Sequence, residues 1–346
     1  MSRRSLTLLI AGVATLVAVA VSIFVPVPYV ILMPGPTLNT LGKDSSGKPL
    51  ITIAGHQTYP TSGNLNMVTV SYQGAPPPNT GVNIFQALRA WLDPHEAVVP
   101  ASEIFPPGQT AQQTQQQDTA QMAGSQEQAT AAALSALHIK YATTVSVLQV
   151  QKGTPAYGVL KAGDVILSVN GTPVTDAGTL TSLITGHPAG TVLHLVVSRG
   201  GASVPVSVAT RELGGHPVIG IGVQQGYKFP FTVKFSVGNI GGPSAGMMFA
   251  LGIIDKLTPM NLTGGKFVAG TGEITASGQV EPIGGIQQKM VGARDAGATV
   301  FLTPAGNCPD TAGAIPAGLK VVKVSTLTQA IADLEALKAG KPVPSC

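Results

Sequence analysis

Charged residues are scarce in this chain of 346 residues. Asp, Glu, Lys and Arg together make up 10% of it, and the formal net charge is +4. Nucleic-acid-binding domains concentrate lysine and arginine on one face or in one run, and no such run with interleaved aromatics occurs here. The composition therefore predicts no nucleic-acid partner, and its 42 glycines and 27 prolines predict many turns and short strands.

Cysteines and phosphate-binding motifs are also few. The two cysteines, Cys308 and Cys346, cannot form a metal site on their own. They could form one disulfide if the chain faces an oxidising compartment, and the sequence leaves the paired and free states equally open. The segment nearest to a phosphate loop, Leu262-Thr-Gly-Gly-Lys-Phe267, lacks the required spacing and hydroxyl. We therefore expect no metal, no ATP and no other cofactor.

The N-terminus contains an uninterrupted apolar stretch. It runs from Leu6 to about Val25 and follows Arg3 and Arg4. About 20 apolar residues can cross a bilayer as a helix, and the arginines favour a cytoplasmic N-terminus. A cleaved signal peptide is the alternative, with Ala18-Val-Ala20 as cleavage site, but the sequence stays apolar well beyond it. We expect an uncleaved anchor over residues 1–30, in the cell membrane, with the bulk of the chain extracytoplasmic.

Residues 31–140 combine a linker with predicted strands and helices. Pro34-Gly-Pro36 is typical of a stiff linker. An amphipathic helix is predicted over Asn83 to Leu92, and Trp91, at helical spacing with other apolar residues, is expected in the core. Small and apolar residues at helical spacing predict another helix from Met122 to Leu137.

From about Thr144 the sequence changes to short strands and turns. Gly153-Thr-Pro-Ala156 followed by Leu160-Lys-Ala-Gly-Asp-Val-Ile-Leu-Ser-Val-Asn-Gly171 resembles the PDZ domains of bacterial proteases. We assign this module to residues 141–212, although its carboxylate-binding loop cannot be located. PDZ domains bind an extended peptide between a sheet edge and a short helix. The apolar residues of the predicted helix could line that groove or fill the core: Leu180, Leu183 and Ile184.

A glycine-rich turn precedes an apolar helix in the last third of the chain. It reads Gly241-Gly-Pro-Ser-Ala-Gly246. A serine at a helix start lies among unpaired N–H groups and near the positive end of the helix dipole. These groups could hold an oxyanion beside the hydroxyl of Ser244. The alternative is a simple helix N-cap, which is the more common role for such a serine.

Lys289 is a candidate general base for that serine. It lies beside Met290 in a helix predicted to begin at Ile286. Burial near a helix N-terminus lowers the pKa of a lysine, as a lysine base requires; the alternative is a side chain whose ammonium group extends to water. No histidine follows His216, so a local histidine base is missing, and Ser–Lys pairs are an established variant of the catalytic triad.

Several motifs after residue 240 resemble the proteolytic domain of Lon proteases. In order, they are Gly242-Pro-Ser-Ala-Gly246, Thr271-Gly-Glu-Ile-Thr275, Gly278-Gln-Val-Glu-Pro-Ile-Gly-Gly285 and Lys289. With the anchor and the PDZ-like module, the chain resembles the membrane-anchored, PDZ-containing Lon-like proteases of Gram-positive bacteria. The resemblance implies an α+β fold: a Lon-type proteolytic domain, a small β-barrel-like PDZ module and one transmembrane helix.

The same resemblance assigns roles to individual residues. Ser244 becomes the nucleophile, and Lys289, 45 residues later, the general base. Thr271 matches a threonine that forms hydrogen bonds near the lysine. The oxyanion is assigned to the backbone N–H groups of Gly242 and Ser244.

The chain departs from the Lon pattern in two ways. Gly241 and Gly242 stand where Lon proteases usually have an acidic residue, and the ATPase domain is missing. The resemblance also implies that residues 213–346 share one protease fold with Asn64 to Ser71 and Met122 to Leu137. The PDZ module would then be inserted into that fold, which is feasible because PDZ termini lie close together.

The sequence thus predicts an ATP-independent, membrane-tethered serine endopeptidase. It would cleave extracytoplasmic peptides or loosely folded proteins, with the PDZ domain presenting them. The alternative is a PDZ-based membrane adaptor whose protease domain is inert. Lon-type domains often assemble as rings, so the family resemblance also raises a homo-oligomer, whereas the physiological substrate and the cleavage preference stay open.

Overall fold

The computed structural model describes residues 3–44, 46–76, 81–106 and 108–346, which form two compact units. The first unit combines the chain up to Ile139 with the chain from Phe231 onward, and the second unit spans Lys140–Pro230. The second unit therefore interrupts the chain of the first.

The first unit begins with these elements: α1 (Arg3–Phe24), β1 (Tyr29–Asn39), β2 (Ile51–Ala54), β3 (Asn64–Gln73), α2 (Ile84–Leu92), β4 (Ala97–Pro100), α3 (Ala101–Ile104) and α4 (Ala111–Ala136). The second unit contains β5 (Ala142–Val150), β6 (Val165–Val169), β7 (Thr172–Pro173), α5 (Ala177–Thr185), β8 (Val192–Arg199), β9 (Ala202–Ala209), β10 (Arg211–Leu213), β11 (His216–Val218) and β12 (Ile221–Lys228). The first unit then resumes with β13 (Thr232–Phe235), α6 (Gly246–Leu257), β14 (Phe267–Gly270), β15 (Glu273–Ile274), β16 (Val280–Glu281), α7 (Ile286–Asp295), β17 (Val300–Pro304), α8 (Cys308–Thr311), β18 (Lys320–Val324) and α9 (Leu327–Lys338).

A mixed six-stranded sheet organises the first unit. Its order is β18-β17-β14-β3-β1-β4. The strand β14 pairs in parallel with β3 and β17, whereas β1 is antiparallel to β3 and β4. The two central strands, β3 and β14, thus lie before and after the second unit in the sequence. The helix α7 packs on β1 and β3, and α6, almost wholly buried, packs on α4.

The strand β1 occupies the segment that we expected to be a linker. Pro34 and Gly35 lie inside it, at a register shift in its pairing with β3. Proline is tolerated at such a bulge because the bulge needs no N–H group for the ladder. Gly35 also lies so close to Thr69 that a Cβ atom would collide with its hydroxyl. The linker prediction is therefore wrong, because the bulge accommodates the three residues that suggested it, Pro34 to Pro36.

The predicted helix at Asn83 to Leu92 is confirmed as α2. Asn83 caps it and forms a capping box with Gln86. The prediction for Trp91 is wrong, because its side chain is 74% exposed. The small residues Ala87 and Ala90 form the buried face instead, so helical spacing identified an apolar face but not which face points inward.

The second unit is built on an antiparallel sheet. Its order is β12-β5-β6-β8-β9, with β7 paired to β6, and α5 packs against it. The edge strand β12 pairs with β5 along its full length, from Ile221 to Lys228. The unit therefore ends at Pro230, later than the expected boundary at residue 212, because β12 completes its sheet.

Two features concern the ends of the chain. The helix from Arg4 to Phe24 is long and apolar enough to cross a membrane, and none of its apolar window is buried in the first unit. A signal sequence would meet the same criterion.

Near the other end of the chain, Cys308 at the start of α8 forms a disulfide with Cys346. The disulfide fastens the C-terminal tail to α8.

Candidate active site

Ser244 lies in the turn between β13 and α6. The helix begins at Gly246, its N-cap is Ala245, and no side chain caps it. Across the described part of the chain, Ser244 Oγ makes no hydrogen bond. The N-cap alternative is therefore wrong, and the hydroxyl of Ser244 is available for other chemistry.

Thr271 holds the carbonyl group of the serine. Its buried Oγ1 donates a hydrogen bond of 2.9 Å to Ser244 O, and Gly272 N donates one of 2.8 Å to the same oxygen. Thr271 was expected to hydrogen-bond near Lys289, but its hydroxyl is bonded to the serine turn. Its place in the structure is that of a residue that fixes the serine backbone.

The helix α4 holds the other side of the turn. Ser125 Oγ donates to Pro243 O at 2.8 Å, and Gly242 N donates to Asp118 O at 3.0 Å. A Cβ atom at Gly241 would lie 2.5 Å from Asp118 Cβ. Glycine at 241 thus allows the turn to pack directly on α4.

These contacts change the assignment of the oxyanion donors. The N–H group of Gly242 was expected to be one of them, but it already donates to Asp118 O. Among the residues that the structure describes, none accepts a hydrogen bond from the N–H group of Ser244 or of Ala245. These two adjacent groups, at the start of α6, are the ones that can bind an oxyanion.

Lys289 lies in the first turn of α7, which starts after Gly285 in a left-handed conformation (φ 67°). Its side chain is only 4% exposed, and its neighbours Ile286 and Met290 are buried in the apolar layer under the sheet. The alternative, in which the ammonium group extends into water, is therefore wrong. Burial lowers the pKa of Lys289 from 10.5 to about 8, so a minor fraction of it is neutral at pH 7 and that fraction grows steeply toward pH 8.

Ser244 and Lys289 line the same cavity of the first unit, which has a volume of about 670 Å³. Ala245, Gly241 and Gly284 also line it. Within the described residues, Ser244 Oγ and Lys289 Nζ do not form a hydrogen bond to each other. Catalytic hydrogen bonds are often formed only when substrate is bound, and this cavity is large enough to admit a peptide segment beside the two groups.

Asp118 is a cavity residue that the sequence did not reveal. It lines the cavity together with Glu103, and burial raises the pKa of the Asp118 carboxyl group. The sequence showed that Gly241 and Gly242 replace the usual acidic residue of Lon proteases. The structure places an acid from α4 against that point, more than a hundred positions earlier in the chain. A single sequence carries no signal for this pairing.

The second unit has a groove of about 560 Å³ beside α5 and β12. Of the predicted groove residues, Ile184 lines the groove and also belongs to the core of the unit, whereas Leu180 lies in that core and Leu183 packs against it. The sequence missed the other wall of the groove, which includes residues 217–222, from the end of β11 to the start of β12.

Two family comparisons cover most of the chain after residue 112. Residues 234–336 match the Lon protease (S16) C-terminal proteolytic domain, and residues 113–210 match the PDZ domain. The second match begins within α4, whereas the compact unit of the structure begins at Lys140.

Individual relatives match over shorter stretches. The chain is 46% identical over 69 residues to a Lon protease of Roseiflexus castenholzii, covering 20% of this chain and 8% of that one. It is 39% identical over 126 residues to a putative zinc metalloprotease of Lactococcus lactis, covering 36% and 29%. The PDZ domain of an SdrC-like protein from Listeria monocytogenes is 25% identical, with a TM-score of 0.22, and covers 23% of this chain and 85% of that one. The chain thus spans less than a third of the length of the first two relatives.

The Lactococcus relative is named as a putative zinc metalloprotease, but this chain does not contain the common zinc-binding motif of such enzymes. Zinc proteases of the His-Glu-x-x-His type need a second histidine three residues after the glutamate, and His95-Glu96 is followed by Val99 at that position. The described residues contain no group of three or more His, Cys, Asp or Glu side chains that could hold a metal ion.

Proposed function

We propose that this chain, which carries a Lon-type proteolytic domain and a PDZ domain, is a serine endopeptidase that works without ATP. Ser244 is the nucleophile and Lys289 the general base. The observation that carries the proposal is the shared cavity. Ser244, whose hydroxyl does not cap α6, and Lys289, a buried lysine with a pKa of about 8, both line it. Buried lysines with a lowered pKa are suited to activating a hydroxyl.

The mechanism follows from these groups. When a peptide binds, neutral Lys289 Nζ takes the proton of Ser244 Oγ as that oxygen attacks the scissile carbonyl carbon. The N–H groups of Ser244 and Ala245 donate to the oxyanion that forms. Lys289 returns the proton to the leaving amine, and then takes a proton from the water that attacks the acyl-enzyme. It gives this proton to Ser244 Oγ as the acyl group leaves, which restores the free enzyme.

The direct test is cleavage of a labelled, permanently unfolded protein by the full-length chain in detergent, with and without magnesium and ATP. We expect cleavage at the same rate in both cases, since the chain contains no phosphate loop. Cleavage only with ATP would contradict the ATP-independent mechanism. No cleavage under either condition would favour the adaptor, in which the protease domain is inert.

The same proposal assigns the chain to the cell membrane. The apolar helix α1 is the anchor, and Arg3 and Arg4 keep its N-terminus in the cytoplasm. The two units are then extracytoplasmic, where the disulfide between Cys308 and Cys346 is stable. The second unit is the PDZ domain, inserted into the proteolytic domain, and its role is to present peptides or loosely folded proteins.

The free edge of β12 is the docking site for those peptides. This strand lies at the edge of its sheet and pairs only with β5 in that sheet. A peptide can add there as a further strand, beside α5 and over Ile184. The turn from Val218 to Gly220, where Gly220 has a φ of 83°, precedes the strand and is our candidate for the carboxylate-binding loop.

Thr181→Arg should weaken substrate presentation. Thr181 is exposed on α5 and lines the groove, so an arginine would fill the space of the peptide. We expect KM for a long unfolded substrate to rise about tenfold, with kcat unchanged and short-peptide cleavage unaffected. The neighbouring Ser182→Arg, exposed but outside the groove, is the matched control. Equal KM values for both variants and wild type would rule out this groove as the docking site of the substrate.

Gly241→Ala should damage the serine turn. Its new Cβ would lie 2.5 Å from Asp118 Cβ and force the turn away from α4. We expect kcat/KM to fall roughly 10- to 100-fold, because small displacements of a nucleophile are costly. Gly284→Ala is the control, because Gly284 lines the same cavity but has open space around a new Cβ. Its kcat/KM should stay within about threefold of the wild-type value. Similar losses in both variants would show that the packing on α4 is not the cause.

A further inference from the structure

The helix α2 turns its large apolar side chains outward. Their exposed fractions rise from 39% at Ile84 to 76% at Leu92, and the full set is Ile84, Phe85, Leu88, Trp91 and Leu92. The spacing of these residues places them on one face of the helix. The opposite face buries only small side chains, such as Ala87 and Ala90. An exposed apolar face of this size marks an interaction site rather than ordinary surface.

The start of α2 is attached to the end of the apolar helix α1. The helix α1 ends at Phe24, and two residues later Pro26 forms a β-bridge with Asn83, the N-cap of α2. The next residue, Val27, donates its N–H to Val82 O at 2.8 Å. The first turn of α2 is therefore fixed to the point at which the chain leaves the proposed membrane span.

We infer that α2 lies on the extracytoplasmic surface of the phospholipid bilayer, with its apolar face at the boundary between headgroups and acyl chains. The inference rests on the proposed membrane anchor. Helices of this kind keep a polar face toward water, and here Arg89 forms an ion pair of 2.8 Å with Glu96 instead of facing the apolar side. Trp91 at the end of the face suits the interface, where tryptophan is enriched.

Docking of α2 would bring the candidate catalytic cavity close to the membrane. The strand β1 starts at Tyr29, five residues after the end of α1, and pairs there with β4. Leu32 on β1 lines the cavity, as does Glu103 on α3, which follows β4. Three residues of strand span about 10 Å. The substrates would accordingly be chain segments held within reach of the bilayer, such as the extracytoplasmic flanks of membrane-bound proteins.

The single tryptophan of the chain makes the contact measurable. The full-length protein would be reconstituted into phosphatidylcholine–phosphatidylglycerol vesicles, with and without lipids brominated along the acyl chains. We expect brominated lipid to quench at least about half of the Trp91 emission, and the emission to be shielded from acrylamide, because an interfacial tryptophan contacts the upper acyl chain.

A variant pair separates the face of α2 from other apolar surface. Leu88→Gln with Leu92→Gln removes two members of the face and keeps the tryptophan probe. We expect quenching by brominated lipid to fall at least about threefold, with cleavage of a soluble peptide unchanged as evidence of a folded protein. Ile315→Gln changes another exposed apolar residue of the first unit and should leave the quenching unchanged.

Three outcomes would overturn the inference, and they are distinguishable. Release of the chain from vesicles by alkaline carbonate would remove the anchor itself, and the docking with it. Retention of the chain with an unquenched, acrylamide-accessible Trp91 would refute docking while leaving the anchor intact. Retention with Trp91 shielded from both quenchers would show that a second copy of the chain covers α2.

Discussion

Ser244→Ala should lower kcat/KM for an unfolded protein substrate by about 10⁴-fold or more, the loss that removal of a nucleophile causes in known serine proteases. The substitution removes one atom, Oγ, that makes no hydrogen bond in the described structure. The turn is held through the carbonyl of Ser244 and by α4, and the variant retains these contacts. We therefore expect the melting temperature to stay within about 2 °C of wild type, since no stabilising contact is lost.

The control for this variant is Ser277→Ala. Ser277 is an exposed serine outside the cavity, so its loss should leave kcat/KM unchanged. Full activity of Ser244→Ala would reject Ser244 as nucleophile. Loss of activity together with a large drop in melting temperature would show that the serine is needed for folding instead.

Lys289→Met should separate activity from stability. Without the base, kcat/KM should fall by about 10³-fold or more. The variant should nevertheless unfold less readily at pH 7. The pKa of Lys289 is about 8 in the folded protein and near 10.5 when unfolded, so below pH 8 folding has to bury a charged ammonium group. Methionine removes that cost, which is about 3 kcal/mol for a shift of this size.

The pH dependence of wild type follows from the same shift. Because the proposed mechanism needs neutral Lys289, kcat/KM should rise about tenfold per unit below pH 7 and level off above about pH 8. The free energy of unfolding of wild type should gain from deprotonation between about pH 8 and 10.5, where the unfolded state binds more protons. Comparing wild type with Lys289→Met isolates this gain.

Two measurements would contradict the role of Lys289. The first is a flat profile of kcat/KM between pH 6 and 9. The second is a Lys289→Met variant that is no more stable than wild type at pH 7. Lys320→Met, at an exposed position of β18, is the control and should change neither property.

The candidate nucleophile and base could be named from the sequence because each lies in a short local motif. Ser244 follows a glycine-rich turn, and Lys289 follows Gly284-Gly285 at a helix start. The oxyanion donors could not be predicted in full, since the engagement of Gly242 N depends on a carbonyl of α4, far away in the chain. Asp118 was missed for the same reason.

In the fold, too, local features could be predicted from the sequence and features that depend on distant residues could not. The helix at residues 84–92 was predictable from its capping residue and apolar spacing, both of which are local. The exposure of Trp91 was not, because spacing alone cannot tell an inward from an outward face. The strand at Pro34 and the late boundary at Pro230 depend on pairing with β3 and β5, and these partners lie outside the segments themselves.

The parallel pairing of β3 with β14 sets an order of events during synthesis and folding. Asn64 pairs with Phe267, so about 200 residues must emerge before the central sheet can close, whereas all the sheet partners of the second unit lie within residues 142–228. Non-local pairings of this kind form late. A nascent chain that still lacks β14 also lacks Lys289, so it has no complete catalytic site. If the proposed function holds, proteolysis can begin only after the last third of the polypeptide has emerged and paired with the first.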